Sequence, residues 1–338
     1  MSNSMTYTDQ EPLVEAMNLK KYFSVPRMGM LHAVDDVSFK IYPGETLGMV
    51  GESGCGKSTV GNVVVRIHEK TGGKLLYRGK DVFTEWPDQL DLCKRMQLIF
   101  QDPYSSLNPR KTIESILSEA FKIHKFGSAA KIADAVREVC DIVEFPHNLL
   151  NRYPHELDGG RRQVVGIARA LSLNADFIVC DEPVSSLDVS VQARIINLLM
   201  RLQQKLGLSY LFISHDLSVV RHISKRIVIM YLGQIVETAD TDDIFSNALH
   251  PYSIALLSAI PRVNTDSKIS RIILKGDVPS PMNPKPGCRF APRCWMARED
   301  CATTDQEQIE VEPGHFVFCK YAAESREEAK VAQTASLD

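Results

Sequence analysis

The chain has 338 residues, 44% hydrophobic and 24% charged, with a formal net charge of −3. Such a composition fits one large folded domain with an appendage, and excludes collagen-like, coiled-coil and wholly disordered chains. The small negative charge gives no chain-wide reason to bind nucleic acid, and no run reaches the roughly 18 apolar residues of a spanning helix, so a cytosolic protein that meets membranes only through partners is expected.

Residues 1–11 are polar, carry neither a charged start nor an apolar run of a secretory signal, and read as a mobile tail. Thr46-Leu47-Gly48-Met49-Val50 is the first clear strand, apolar throughout as in a sheet buried on both faces. It runs into Gly51-Glu52-Ser53-Gly54-Cys55-Gly56-Lys57-Ser58-Thr59, which fits the phosphate-loop pattern G-x-x-x-x-G-K-[ST] between a strand and a helix-compatible run. The chemistry expected there follows from geometry. Glycines let backbone N–H groups converge on phosphates, the following helix adds its positive end, Lys57 reaches the β and γ oxygens, and Ser58 ligates Mg²⁺.

Residues 102–173 read as mainly helical, a helical subdomain inserted between strands. Phe177-Ile178-Val179-Cys180 is again a buried strand and ends in Asp181-Glu182. Carboxylates at a strand's C-terminal end sit where a doubly wound sheet presents ligand groups, so Asp181 is expected at Mg²⁺ and Glu182 as general base on water. Val191 to Leu206 spaces Ile195, Leu198, Leu199, Leu202 and Leu206 as one helical face and stops at Gly207; Leu208 to Ile213 is a further strand. Strands alternating with helices give an α/β fold.

From Pro261 the chain becomes Pro-rich and then Cys-rich, which reads as a linker followed by a small separate module. Of eight cysteines, Cys55, Cys93, Cys140 and Cys180 are scattered, while Cys288, Cys294, Cys301 and Cys319 fall within a short segment. Without an export signal they argue for reduced thiols or metal ligands rather than disulfides, and four close thiolates can enclose one metal or cluster; zinc is not excluded. Residues 322–338 are short of large apolar side chains and read as a second tail.

Several ordered motifs together resemble the ATP-binding subunits of ABC transporters. Beyond Gly51 to Thr59 and Asp181-Glu182, Gln101 matches that family's Q-loop, Ser185-Ser186-Leu187-Asp188 its D-loop, and His215 its switch histidine; Phe23, with Tyr22 as runner-up, matches the adenine-stacking aromatic. The resemblance implies an ABC-type phosphate-loop ATPase core over residues 12–260, with Gln101 near Mg²⁺ and His215 at the γ-phosphate. It also implies a second ATPase subunit facing this one and two membrane-spanning permease subunits at the cytoplasmic face of the membrane.

At the signature motif the family's Leu-Ser-Gly-Gly-Gln is replaced by Leu157-Asp158-Gly159-Gly160-Arg161. An ionised Asp158 cannot donate to a phosphate, and a carboxylate about 4 Å from one phosphate charge costs roughly 4 kcal/mol at an effective dielectric of 20. Asp158 also suits a plain helix N-cap. The departure points to a heterodimer in which the site using this signature is slow.

Gly276 to Pro281, the stretch from Pro286 to Cys294, His315 to Cys319, Gln101 to Pro109 and His250-Pro251-Tyr252 resemble oligopeptide, dipeptide and nickel importer ATPases. That resemblance implies a C-terminal module over residues 261–321, a [4Fe–4S] cluster on Cys288, Cys294, Cys301 and Cys319, with His315 either beside it or solvated, and an extracytoplasmic substrate-binding protein. It leaves dipeptides, oligopeptides and nickel complexes open as cargo, with a soluble non-transport ABC ATPase as the remaining alternative.

Overall fold

The computed structural model describes residues 10–86, 88–260 and 271–325. The expected tail residues 1–9 and 326–338, and the linker residues 261–270, lie outside the described residues. The chain opens with β1 (Val14–Val25), β2 (Gly29–Ile41) and β3 (Thr46–Val50), then α1 (Lys57–Val64), β4 (Gly72–Tyr77), β5 (Lys80–Asp81), α2 (Gln89–Arg95) and β6 (Met96–Ile99). Four helices follow: α3 (Pro103–Ser106), α4 (Ile113–Ile123), α5 (Ala129–Ile142) and α6 (Gly159–Leu171). The chain then runs through β7 (Phe177–Asp181), α7 (Val189–Leu206), β8 (Ser209–Ser214), α8 (Leu217–Ile223), β9 (Arg226–Tyr231) and β10 (Gln234–Asp240). It closes with α9 (Thr241–Asn247), α10 (Pro251–Ser258), β11 (Ile309–Glu312) and β12 (His315–Val317).

The unbroken apolar runs became the centre of the main sheet. All residues of β3, β7 and β8 are buried, and these strands pair in parallel with β6 and β9 in the order β9-β3-β8-β7-β6. Parallel strands need helices over both faces, which explains the missing polar alternation. One face packs on α4 to α8, through residues such as Leu117, Val136, Ile167 and Leu199. The other packs on α1 and on a second, antiparallel sheet ordered β2-β1-β4-β5, through Leu19, Val37, Val63 and Leu75. Helix α7 starts two residues before its expected face because Asp188 caps it, accepting from the Val191 N–H, and stops at Gly207 in the left-handed conformation, φ 67°.

The C-terminal residues do not stand apart as the expected separate module. β12 pairs antiparallel with β10, Glu237 opposite Val317 and Thr238 opposite Phe316, and β11 pairs with β12, so both strands extend the main sheet. The physical reason is the bare edge of β10, whose N–H and C=O groups need partners. Nor does the end of the described chain behave as the expected tail: Ala322 and Ser325 are buried, and the Ser325 hydroxyl donates to the Leu249 carbonyl.

Candidate functional site

Between β3 and α1 the loop turns so tightly that two positions admit only glycine. At Gly56, φ 106°, a Cβ would stand 2.1 Å from the Ala33 carbonyl oxygen; at Gly51 it would stand 2.2 Å from that of Met230. The loop is thus wedged between β2 and β9. Lys57 is 4% exposed, and its ammonium donates to the carbonyls of Gly51 (2.8 Å) and Glu52 (3.1 Å). The Glu52 N–H donates to Tyr252 Oη at 2.8 Å, and the Cys55 carbonyl accepts from the Gly233 N–H.

Ser58 on α1 donates its hydroxyl to Asp181 Oδ1 at 2.8 Å, joining the helix to the end of β7. Burial pushes the Asp181 carboxyl upward, and the Ser58 hydrogen bond works against it. Two adjacent hard oxygen donors fit Mg²⁺, which takes one or two protein ligands and keeps waters for the rest.

Glu182 is held with a backbone φ of 44°, unusual for a residue with a side chain, and its N–H donates to the Ile213 carbonyl. Its carboxylate oxygen Oε2 accepts from Gln101 Nε2 at 3.0 Å and lies 3.1 Å from His215 Nδ1. Gln101 follows β6 and His215 follows β8, so three neighbouring strand ends deliver one cluster of side chains. A cavity of about 750 Å³ opens over it, lined by Lys57, Ser58, Gln101, Glu182 and His215 together with Ser53, Gly54 and Thr59.

Phe23 also lines this cavity, its ring 5.5 Å from that of His68. Tyr22 is engaged elsewhere: its ring stacks on His32 at 3.9 Å and its hydroxyl is bonded to Asp35. Of the two aromatics expected for adenine, the structure therefore brings Phe23 to the site. It brings in Pro281 as well, because the Pro281 carbonyl accepts from the His32 N–H and Met282 bridges to Leu31. Nothing in the residues around Pro281 signals that contact, since a Pro-rich stretch reads as a linker whatever it touches.

The signature residues line a different cavity, of about 670 Å³, with Asp188. Asp158 caps α6: its Oδ1 accepts from the Arg161 N–H at 2.8 Å, and its Oδ2 lies 3.5 Å from Arg161 Nε. The glycines serve packing, for a Cβ on Gly160 would stand 2.6 Å from a Val191 methyl and one on Gly159 3.1 Å from a Leu187 methyl. Asp188 is held below its usual value by the Ser190 hydroxyl and then by the Val191 N–H.

The four C-terminal cysteines are brought near one another, the Cys288 N–H donating to the Cys301 carbonyl at 2.7 Å. Yet among the described residues no group of three or more His, Cys, Asp or Glu side chains is arranged to hold a metal ion. As they stand the donors do not fit the expected [4Fe–4S] cluster, nor zinc, and no step is derived through either. His315 is not solvated: it is 1% exposed, with Nε2 2.8 Å from Glu237 Oε1.

Fold and site together define a phosphate-loop ATPase cassette, and comparison with known proteins agrees. The ABC transporter family model matches residues 34–185, and the model for the oligopeptide/dipeptide transporter C-terminal region matches residues 236–301. A putative peptide import ATP-binding protein of Brucella ovis is 49% identical over 92% of this chain and 98% of its own. The oligopeptide transport ATP-binding protein AppF of Bacillus subtilis is 47% identical over 93% of this chain and 99% of its own. Among solved structures, a dimeric post-hydrolysis state of the ATP-binding cassette MJ0796 bound to ADP and Pi superposes with a TM-score of 0.61 at 26% identity, covering 68% of this chain and 98% of that one. The chain belongs to the ABC transporter ATPases, in the branch that carries the oligopeptide/dipeptide C-terminal region, and its ATP hydrolysis is coupled to transport. Among the described residues no helix is long and apolar enough to cross a membrane.

Proposed function

We propose that this chain powers the import of dipeptides or oligopeptides from the cytoplasmic face of the membrane, working with two permease subunits, an extracytoplasmic binding protein and a second ATPase subunit. The observation that carries the cargo is the near full-length likeness to peptide, oligopeptide and dipeptide transport ATP-binding proteins, the last from Haemophilus influenzae at 46% identity over 92% of this chain.

In this reading the loop from Gly51 to Thr59 wraps the phosphates with its N–H groups, Lys57 turns from the loop carbonyls to the β and γ oxygens, and Phe23 stacks on adenine. Ser58 and Asp181 hold Mg²⁺, whose charge offsets that of the transferred phosphoryl group. Glu182 accepts the proton of the attacking water. Gln101 and His215, both within hydrogen-bonding reach of Glu182, orient it and report occupancy to the inserted helices. Because Asp158 to Arg161 and Asp188 line a cavity other than the one holding Lys57, their natural reach is toward a facing subunit's nucleotide. Asp158 is then the weak point of that contact, which favours a heterodimer.

Reconstitution with the companion subunits tests the assignment. ATP-dependent uptake of a labelled dipeptide into proteoliposomes, lost on Glu182→Gln, is expected; uptake of a nickel complex with no peptide uptake would refute the cargo.

A further inference from the structure

The phosphate loop carries a charge that its ligand should not tolerate. Glu52, the loop's second residue, brings a carboxylate to the loop whose N–H groups and ammonium attract phosphate; it does not line the cavity over Lys57, and turned into that cleft its charge would oppose binding. Its carboxylate is engaged by a residue 241 positions further on: Arg293 Nη1 lies 2.8 Å from Oε2 and Nη2 3.2 Å from Oε1, the two-pronged pairing that guanidinium makes with carboxylate.

The surroundings hold Arg293 to this partner. Its side chain is 8% exposed, it reaches the Tyr231 hydroxyl at 3.5 Å, and its Nε is buried without a hydrogen-bond partner. It sits on the short turn Ala291–Arg293 between Cys288 and Cys294, anchored by Phe290, which is 1% exposed and packs its ring against Tyr231 and Tyr252 at 5.2 and 5.5 Å. Tyr252 is the residue that accepts the Glu52 N–H. Both ends of Glu52 are therefore fixed from outside the loop.

We infer that Arg293 is a positioning residue for nucleotide binding: the C-terminal segment supplies the cation that neutralises Glu52 and turns it from the phosphates, so that MgATP affinity depends on how that segment is seated. The inference rests on the loop binding nucleotide, which the wild-type chain tests separately.

MgATP binding by the full chain, and KM and kcat in the assembled transporter, are measured for Arg293→Gln, Arg293→Lys, and Arg293→Gln combined with Glu52→Gln. Arg293→Gln is expected to raise Kd and KM about tenfold with kcat changed less than about twofold, a loss of ground-state binding alone. Adding Glu52→Gln is expected to return most of that loss, since no free carboxylate remains, and Arg293→Lys to fall between, keeping the charge but not the fork. An unchanged KM in Arg293→Gln overturns the inference. So does a double variant as impaired as Arg293→Gln, because a merely structural brace would not be rescued by removing its partner's charge. Failure of the wild-type chain to bind MgATP would strike the nucleotide reading itself.

Discussion

His250 offers a stability test that turns on a single buried ring. It is 1% exposed, its Nδ1 accepts from the Tyr252 N–H at the start of α10, and its own N–H donates to Glu237 Oε2. Burial lowers its pKa from 6.5 to about 4, while the Glu237 carboxylate pulls the other way. Glu237 also faces His315 and acts on the Cys319 thiol. A histidine whose folded pKa lies below its unfolded one contributes stability that is full above 6.5 and is lost as pH falls through that value toward 4. Between about pH 7.5 and about pH 5, this ring alone should remove about 2 kcal/mol, a range in which ordinary carboxylates stay mostly ionised. His250→Asn keeps a side chain able to cap α10 and does not titrate. Urea unfolding at the two pH values should therefore show the wild type losing about 2 kcal/mol more than the variant. Parallel losses in the two proteins would refute the assignment.

The site makes three further predictions. Glu182→Gln should cut phosphate release at least about 100-fold while MgATP binding survives, as measured on the assembled transporter, because only the base is removed. Phe23→Ala should raise the KM for ATP about tenfold through lost stacking, and Tyr22→Ala should raise it much less; equal effects would show that the adenine lies elsewhere. Asp158→Ser with Arg161→Gln should raise the assembled transporter's ATPase rate about twofold, the gain when a second site joins one already turning over, and no change at saturating ATP would sink the slow-site argument.

The parts of the site that could be read in the sequence are those whose residues stand together on one turn. Gly51 to Thr59 announces itself because a loop, a lysine and a helix start are contiguous, and Asp181-Glu182 because a buried strand points at it. The meeting of Gln101 and His215 on Glu182 needed family resemblance, since each comes from a different strand end. The antiparallel sheet stayed hidden: β1 mixes buried and exposed residues irregularly, and register shifts near Leu19 and Lys21 blur its period of two. The glycines at 159 and 160 looked like ligand groups and are also packing contacts, Gly160 against Val191 of α7 and Gly159 against Leu187 just before it. The C-terminal strands were unreadable because β11 is exposed throughout and β12 has only three residues. Nothing local marks Arg293 as the partner of Glu52 or Pro281 as lining the cavity over Lys57, for both contacts join distant stretches of chain.

The pairing of β12 with β10 also orders events during synthesis. β10 leaves the ribosome with its outer edge unprotected, and the strand that covers it is translated only after α10 and the whole proline-rich stretch. Until Arg293 emerges the nascent cassette lacks the guanidinium that pairs with Glu52, and until β12 follows it still exposes a sticky strand. A ribosome stalled in that interval would hold a nearly finished catalytic domain that is prone to self-association and poor at holding MgATP.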